Sequence, residues 1–321
     1  MFQFLVKRLI GLVSVVLGVT FITFIIGYAT STTNDPIRIM MGQHFDLDTW
    51  LRLRHTYGLD LPWYEQYYNF LIHLFRFDFG LSYQYQNRPV SDILAGGIPT
   101  SVELAFWGLI ITILIGIPTG VLSAVKANSW IDTTNMAVAL IFYAIPAFAL
   151  CVSAQVLISW LNSLSGSWWP ISNWGNPWQY TWTDIQYKLA PIVVYGATGY
   201  AYFARLARTS MLEVLHQDYI RTAHAKGLRE RVIIYRHALR NAMIPIVTYV
   251  GYLVGLLVAG AFFVEYIFNI PGIARITVQA SFSRDYPVIQ ATAVVVAIGI
   301  VIGNLMADIL YTLFDPRIKL S

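Results

Sequence analysis

Long apolar runs without charge recur along the whole chain. A helix needs about 20 apolar residues to cross about 30 Å of hydrocarbon, and six runs approach or exceed that length. They lie at 9–29, 104–125, 133–161, 189–204, 241–264 and 286–307. The fourth run is the weakest, because Pro191, Gly196 and Gly199 interrupt it. The pattern predicts an all-α membrane protein with six transmembrane helices.

Composition and charge place the chain in a membrane rather than in solution. Of its 321 residues, 57% are hydrophobic and 12% charged, whereas a soluble domain carries about 25% charged residues. The net charge of +4 would suit a nucleic-acid-binding protein, but the Lys and Arg residues gather at the ends of the apolar runs and in one loop. We therefore expect membrane lipid as a partner and no nucleic acid. The single cysteine, Cys151, lies inside an apolar run and cannot form an internal disulfide.

Charge asymmetry predicts the orientation of the helices. If the N-terminus is cytoplasmic, thirteen of the 21 Lys and Arg residues lie in cytoplasmic segments, and five of the remaining eight lie in one external loop of roughly 70 residues. Loops that long largely escape the positive-inside rule, and across the short loops the bias is thirteen to three. Both termini are therefore predicted to be cytoplasmic.

This orientation divides the chain into four parts. Residues 1–30 form the first transmembrane helix, 31–100 a long extracytoplasmic loop with short helices, 101–314 a core of five transmembrane helices, and 315–321 a cytoplasmic tail. The core includes a cytoplasmic loop at 205–240. A cleaved signal peptide is the alternative for the first part, since small residues follow the apolar run. Signal peptides usually have about 7–15 apolar residues, whereas this run has 21, so we expect a retained helix.

The external loop contains two segments with helical periodicity, 46–57 and 63–75. Pro62 suits the first turn of the second segment, and Asp60 is a candidate cap near it. The tryptophans and tyrosines of this loop, and those of a second loop at 168–182, have two open interpretations. They form a belt at the membrane–water boundary, or they dock an external partner.

The cytoplasmic loop at 205–240, hereafter the basic loop, carries eight of the 21 Lys and Arg residues. Residues 211–226 contain neither proline nor glycine, so this part can be helical. Asp218 suits the amino end of a short helix, through the helix dipole and as a cap. Ala223 and Ala225 are small enough for the helix to lie close in a groove on a partner, and Gly227 ends the helix at little steric cost. The alternative is a solvated basic loop.

The sequence contains no motif for catalysis or metal binding. The phosphate-binding pattern G-x-x-x-x-G-K-[ST] is absent, and the six histidines form no H-E-x-x-H pair. His216 and His224 are eight residues apart, but they lie beside Arg221 and Lys226, which disfavours a metal ion. We therefore expect no catalysis, metal or cofactor in this chain, and the energy for any transport has to come from partners.

Ionisable residues are nearly absent inside the predicted helices, so there is no proton relay of the kind that secondary transporters often carry. Four acidic residues lie at helix ends, where ion pairs are expected: Glu103, Glu265, Asp285 and Asp308. The candidate kinks are Pro118, Pro146, Pro191 and Pro245. The glycines expected to pack helices closely are Gly196, Gly199, Gly251 and Gly255. We expect a gate along the fourth and fifth helices, because they flank the basic loop.

Several sequence blocks, in a fixed order along nearly the whole chain, match those of a known family. They include G-L-D-L-P at 58–62, F-D-F-G-L-S at 77–82, I-P-T-S-V-E-L at 98–104, I-P-G-I-A-R at 270–275, R-D-Y-P at 284–287 and D-P-R at 315–317. The most specific pair is D-Y-I-R-T-A-H-A-K-G-L at 218–228 with R-H-A-L-R-N-A-M-I-P at 236–245. The chain thus resembles the permease subunits of bacterial ABC importers of the dipeptide, oligopeptide and nickel family, in particular the type with a long external loop after the first helix. Phe77 stands where the family has glycine, and Arg240 where the general importer motif has proline.

The resemblance implies a type I ABC importer permease fold with several spans in the bacterial plasma membrane. It also implies that part of the basic loop couples the chain to ATPase subunits, through Asp218, Tyr219, Arg221, Thr222, Ala223, Ala225, Lys226 and Gly227. The expected partners are a homologous second permease subunit, two ATP-binding subunits that hold ATP and Mg, and an extracytoplasmic solute-binding protein. The expected cargo is a di- or oligopeptide, with nickel as the alternative.

Two other functional classes stay open from the residues alone. A secondary carrier driven by an ion gradient predicts buried carboxylates or inverted repeats, and neither stands out in the sequence. A membrane scaffold or receptor requires the match in the basic loop to be accidental.

Overall fold

The computed structural model describes residues 2–33, 35–41, 45–85, 88–166, 168–256 and 261–314. Regular structure in these ranges is helical, apart from an isolated β-bridge between Leu81 and Pro89. In chain order the helices are α1 Phe2–Thr33, α2 Pro36–Met41, α3 Leu47–Thr56, α4 Trp63–Phe75, α5 Val90–Val125, α6 Trp130–Ala144, α7 Ala147–Ser165, α8 Trp182–Leu215, α9 Asp218–Ala225, α10 Glu230–Val232, a π-helical segment Ile233–Ala238, α11 Leu239–Leu256, α12 Phe262–Ile267, α13 Ile273–Ser283 and α14 Tyr286–Phe314.

Within the described ranges, four helices are long and apolar enough to cross a membrane by length and composition. They contain Ile10–Ser31 of α1, Val90–Val125 of α5, Ala147–Ser165 of α7 and Tyr286–Leu305 of α14. The fourth predicted run lies inside α8, which extends beyond it at both ends. The fifth run is shared by α11 and α12, and residues 257–260 between them lie outside the described residues. The predicted cytoplasmic tail, 315–321, also lies outside them.

The third predicted helix is wrong as a single element, because Pro146 divides it. α6 ends at Ala144, Ile145 has extended backbone angles (φ −77°, ψ 124°), and α7 begins at Ala147. A proline disfavours the helical conformation of the residue before it and lacks the N–H that would continue the helix. The other candidate kinks lie inside helices, namely Pro118 in α5, Pro191 in α8 and Pro245 in α11.

The helices α5 and α8 pack closely against each other along their length. Glycines make this approach possible. A Cβ atom built on Gly120 would lie 2.4 Å from the carbonyl oxygen of Ala204, and one on Gly199 would lie 2.7 Å from Oγ1 of Thr112. The hydroxyl of Thr112 donates a hydrogen bond to the carbonyl of Gly196 (2.9 Å). The expected packing role is therefore confirmed for both glycines of α8; Gly251 is buried in α11, and the surroundings of Gly255 lie outside the described residues.

A buried ion pair joins α5 and α8 near one end of their contact. Lys188 Nζ lies 2.7 Å from Glu103 Oε1, and the two side chains are 3% and 0% exposed. The remaining hydrogen-bonding capacity is filled, since Lys188 donates to two backbone carbonyls of the 168–182 loop and Glu103 accepts from the indole of Trp174 and the backbone N–H of Trp178. The ion pair expected for Glu103 is present, and it holds the loop as well as the two helices.

Glu265 and Asp285 have a different role from the ion pairs that we expected. Glu265 accepts hydrogen bonds from the hydroxyl of Ser101 (2.7 Å) and from backbone N–H groups at the start of α13, including that of Ala274 (2.9 Å). The Asp285 carboxylate accepts hydrogen bonds from the hydroxyl of Ser82 and from the backbone N–H groups of the next two residues, Tyr83 and Gln84. In the described part of the chain both carboxylates thus fix the backbone of turns and helix ends. The side chain of Asp308 lies outside the described residues.

The segment predicted to be external, 31–100, forms the two predicted helices, α3 and α4, and also the short helix α2. Asp46 caps α3 by accepting a hydrogen bond from the backbone N–H of Thr49 (2.9 Å). At α4 the prediction was wrong in detail, because Pro62 precedes the helix and Asp60 does not cap it. The Asp60 carboxylate instead lies 2.8 Å from Nδ1 of His55.

Replacing Lys188 alone should destabilise the protein strongly, because Lys188→Met leaves the Glu103 carboxylate buried without a cation. Removing one partner of a buried ion pair costs about 3–5 kcal/mol. Thermal unfolding of the detergent-purified protein measures the loss. Arg221→Met removes an exposed pair with Asp218 (3.6 Å) and should change the unfolding temperature little. Equal shifts for the two variants would contradict the role of the buried pair.

Alanine at Gly120 and at Gly96 should have opposite effects, although both residues lie in α5. At Gly120 the new methyl group meets the backbone of α8, whereas at Gly96 no atom from beyond the neighbouring turns of α5, among the described residues, lies within 4 Å of the new Cβ. Alanine at an open helical position stabilises by about 0.5–1 kcal/mol through backbone entropy. Gly120→Ala should therefore lower the unfolding temperature and Gly96→Ala should raise it; a rise for both would show that α5 and α8 do not depend on this contact.

Candidate functional site

Most of the basic loop is helical. Its first part continues α8 as far as Leu215, and after two residues α9 begins at Asp218. Asp218 occupies the first turn of α9, where the helix dipole favours a negative charge. The expected cap is not made, because Gln217 holds the cap position and no side-chain cap bond is present there.

Gly227 ends α9 as the sequence predicts. Its φ is +71°, a left-handed conformation that glycine adopts at low cost. The N–H of Gly227 donates to the carbonyl of His224 (2.9 Å), and the N–H of Leu228 reaches back to the carbonyl of Ala223 (3.3 Å). This pair of bonds is the Schellman motif, which satisfies the last carbonyls of a helix. The chain therefore turns sharply away after a short, well-defined helix.

One face of α9 packs on the chain itself. Ile220 and Ala223 are 1% and 6% exposed and belong to a cluster of buried residues with Val121 of α5 and Met211 of α8. The structure places Ala223 on the buried side of α9. Its small side chain lets α9 lie close to the protein's own core.

The other face of α9 is open. The other seven predicted site residues are exposed, and they are Asp218, Tyr219, Arg221, Thr222, Ala225, Lys226 and Gly227. Four further exposed cations follow in the same loop, at Arg229, Arg231, Arg236 and Arg240. The loop holds eight Lys and Arg residues against three Asp and Glu residues. This surface is therefore basic and suits an acidic partner surface.

The sequence analysis missed Asn241, which fixes α9 to α11. Asn241 Nδ2 donates a hydrogen bond to the hydroxyl of Tyr219 (2.7 Å). Both residues lie in the two family-like blocks, but their contact depends on how the chain folds back after Gly227. A π-helical segment, Ile233–Ala238, leads into α11. π-Helical turns are rare in proteins, and those that do occur are often found at functional sites.

A second contact that the sequence analysis missed holds the end of α8. Arg208 forms two hydrogen bonds of 2.7 Å with the carboxylate of Asp132, at the start of α6. The Arg208 guanidinium holds the pKa of the Asp132 carboxyl below its usual range. The guanidinium of Arg205 in α8 lies 4.6 Å from the ring centre of Tyr143, which is also in α6. The segment that carries α9 is thus tied to α6 as well as to α5 and α11.

Two of the three histidines of the basic loop, His216 and His224, each use a ring nitrogen within their own helix. Nδ1 of His216 lies 2.6 Å from the carbonyl oxygen of Leu212, and Nδ1 of His224 lies 3.0 Å from that of Ile220. Within the described ranges, no three His, Cys, Asp or Glu residues are grouped so that they could hold a metal ion.

Comparison with known proteins gives the family. A model described as binding-protein-dependent transport system inner membrane component matches residues 116–320, and a model of the N-terminal part of such a membrane component matches residues 1–105. The chain is 35% identical to the dipeptide transport system permease protein of Alkalihalophilus pseudofirmus, with 99% of this chain and 100% of the relative covered. It is 35% identical to an oligopeptide transport system permease protein of Bacillus subtilis, with the same coverage. It is 34% identical to the glutathione transport system permease protein of Escherichia coli K12, with 99% of each covered.

A solved structure supports the fold. A chain of the MetNI methionine ABC transporter, in an inward-facing conformation, matches with a TM-score of 0.56 and 20% identity, and the match covers 69% of this chain and 96% of that one. Since a family model covers most of the sequence and the relatives align from end to end, this integral membrane protein belongs to the binding-protein-dependent transport system inner membrane components, the ABC importer permeases that its sequence blocks resemble.

Proposed function

We propose that this chain is the membrane-spanning permease subunit of an ATP-driven importer and forms part of the pathway for di- or oligopeptides delivered by a solute-binding protein. The peptide cargo is supported by the relatives, which are named for dipeptide, oligopeptide and glutathione transport and align over the full chain. The observation that carries the proposal is α9, a short helix with one face buried in the chain and the opposite face exposed, followed by a run of exposed cations in the same loop.

The proposed arrangement has six membrane crossings in the bacterial plasma membrane, with both termini cytoplasmic. The crossings are α1, α5, α6 together with α7, α8, α11 and α14. The four long apolar helices support four of these crossings, those of α1, α5, α7 and α14, and the Lys and Arg distribution supports the orientation. α9 and the basic loop then lie on the cytoplasmic side, where ATP is available.

In the proposed mechanism two ATP-binding partner subunits hold ATP and Mg and carry out hydrolysis, and one of them grips α9 and moves it when the two close. The chain itself is a non-catalytic subunit. Closure of the partners shifts α9 as a rigid body, because the Schellman motif ends it sharply and Ile220 and Ala223 anchor it. The short link to α8 and the bond between Tyr219 and Asn241 pass this movement to α8 and α11.

These helices are therefore the ones that open and close the pathway. The contact of Arg208 with Asp132 extends the movement to α6. A second, homologous permease subunit completes the cavity. Alternation between an outward-open and an inward-open arrangement then moves the cargo in one direction.

Purification of the chain in mild detergent tests the proposal. We expect a homologous permease and two ATPase subunits to co-purify, and the ATPases to dissociate more readily as ionic strength rises, because the docking surface of α9 is charged. Proteoliposomes with the binding protein should take up labelled dipeptide upon addition of ATP, and labelled nickel should not enter. Recovery of the chain alone, with solute movement driven by an ion gradient, would support a secondary carrier instead.

Valine at Gly227 should uncouple transport. A β-branched side chain at φ +71° is strained, so the end of α9 would shift. We expect Gly227→Val to reduce peptide-stimulated ATP hydrolysis by about tenfold or more, a loss equivalent to about 1.4 kcal/mol, while the chain still inserts in the membrane. Gly166→Val is the matched control, because Gly166 also has a left-handed backbone (φ +63°) and open surroundings but ends α7. Equal losses in both variants would point to general strain and not to coupling by α9.

A further inference from the structure

The helix α4 has an exposed aromatic stripe that no part of the described chain covers. Tyr64, Tyr68 and Phe75 are 57%, 64% and 76% exposed. With the half-buried Leu71 they follow the spacing i, i+4, i+7 and i+11, so they share one face of the helix. A soluble external helix would bear polar side chains on such a face.

α4 contacts α1 well inside the apolar span of α1, which is unusual for a segment outside the membrane. The hydroxyl of Tyr67 donates to the carbonyl of Leu17 (3.4 Å) and lies 3.3 Å from Oγ1 of Thr20. Its ring packs on Phe21 and Phe24, with centroid distances of 5.5 and 5.2 Å. The apolar span of α1 is Ile10–Ser31. At about 1.5 Å per residue, Phe24 lies about 10 Å and Leu17 about 21 Å inside the carboxyl end of that span.

The polar side chains of α4 lie on another side of the helix. Glu65 and Asn69 are exposed and are about 100–140° around the helix axis from Tyr64. Asn69 and His73 border an open cavity of about 430 Å³ between α4, α1 and the start of α14. The helix thus has three sides: one packed on α1 through Tyr67, one polar, and one aromatic and uncovered.

We propose that the aromatic stripe of α4 rests in the lipid of the leaflet that surrounds the carboxyl-terminal half of α1. Phe21, which Tyr67 contacts, is itself 45% exposed on a membrane-spanning segment, so the stripe continues a surface that faces hydrocarbon. Amphipathic helices bury their apolar face about 5–10 Å into the boundary between headgroups and acyl chains, and the contacts of Tyr67 with Phe24 and Leu17 place this side of α4 at that depth or deeper beside α1. Tyrosine suits this position because its ring is apolar and its hydroxyl reaches the headgroups. The long external segment is therefore anchored on the membrane by α4.

Spin labels on single cysteines test this placement. Cys151→Ala removes the one native cysteine, and labels are then placed through Tyr64→Cys, Tyr68→Cys and Phe75→Cys, with Glu65→Cys and Asn69→Cys as controls on the polar side of the same helix. All five native side chains are exposed, so the labels leave the packing intact. In proteoliposomes we measure collisions with oxygen, which concentrates in lipid, and with a water-soluble nickel chelate.

We expect the ratio of oxygen to nickel-chelate collisions to be several-fold higher at the three stripe positions than at the two controls. Equal ratios at all five positions would show that the stripe faces water and would overturn the proposal. Protection of the stripe labels from both reagents would overturn it as well, because it would mean that a protein covers the stripe.

Discussion

The close contact of α5 with α8 is the constraint on which the rest of the structure depends. Lipid is as apolar as most side chains, so membrane helices gain little from hydrophobicity when they associate and rely on close packing and hydrogen bonds. Glycines on both helices allow their backbones to approach, as at Gly120 and Gly199. The buried pair of Glu103 and Lys188 fixes the contact near one end, and the cluster of Val121, Met211 and Ala223 lies at the other. The same two helices thus support the aromatic loop and α9.

Buried carboxylates organise the non-helical chain on the side where α5 and α14 begin. Glu103 holds the 168–182 loop, Glu265 holds the start of α13, and Asp285 holds the segment after Ser82. Irregular backbone near a membrane has N–H groups that lipid cannot satisfy. A carboxylate that accepts hydrogen bonds from several backbone N–H groups satisfies them at one point. These residues therefore stabilise this end of the bundle.

The opposite end combines a firm attachment with an open surface. The buried side of α9 makes the helix part of the core, whereas its other side is exposed. A hydrogen bond links α9 to α11, and Arg208 links the end of α8 to α6. The small side chain of Ala223 lets α9 approach α5 and α8 closely, and this close packing makes the attachment stiff.

The sequence by itself determined the class, most of the long helices and the place of the short helix that Gly227 ends. Apolar length and charge are local properties, so they indicate membrane helices, and the glycine at 227 predicts a left-handed helix end wherever the helix lies. Only the tertiary structure decided which side of α9 is buried, that Glu265 and Asp285 bind backbone N–H groups, and that Asn241 meets Tyr219. Those outcomes depend on which residues from distant segments come together. A periodic pattern shows that a helix has faces, but the neighbours of each face are set by packing in three dimensions.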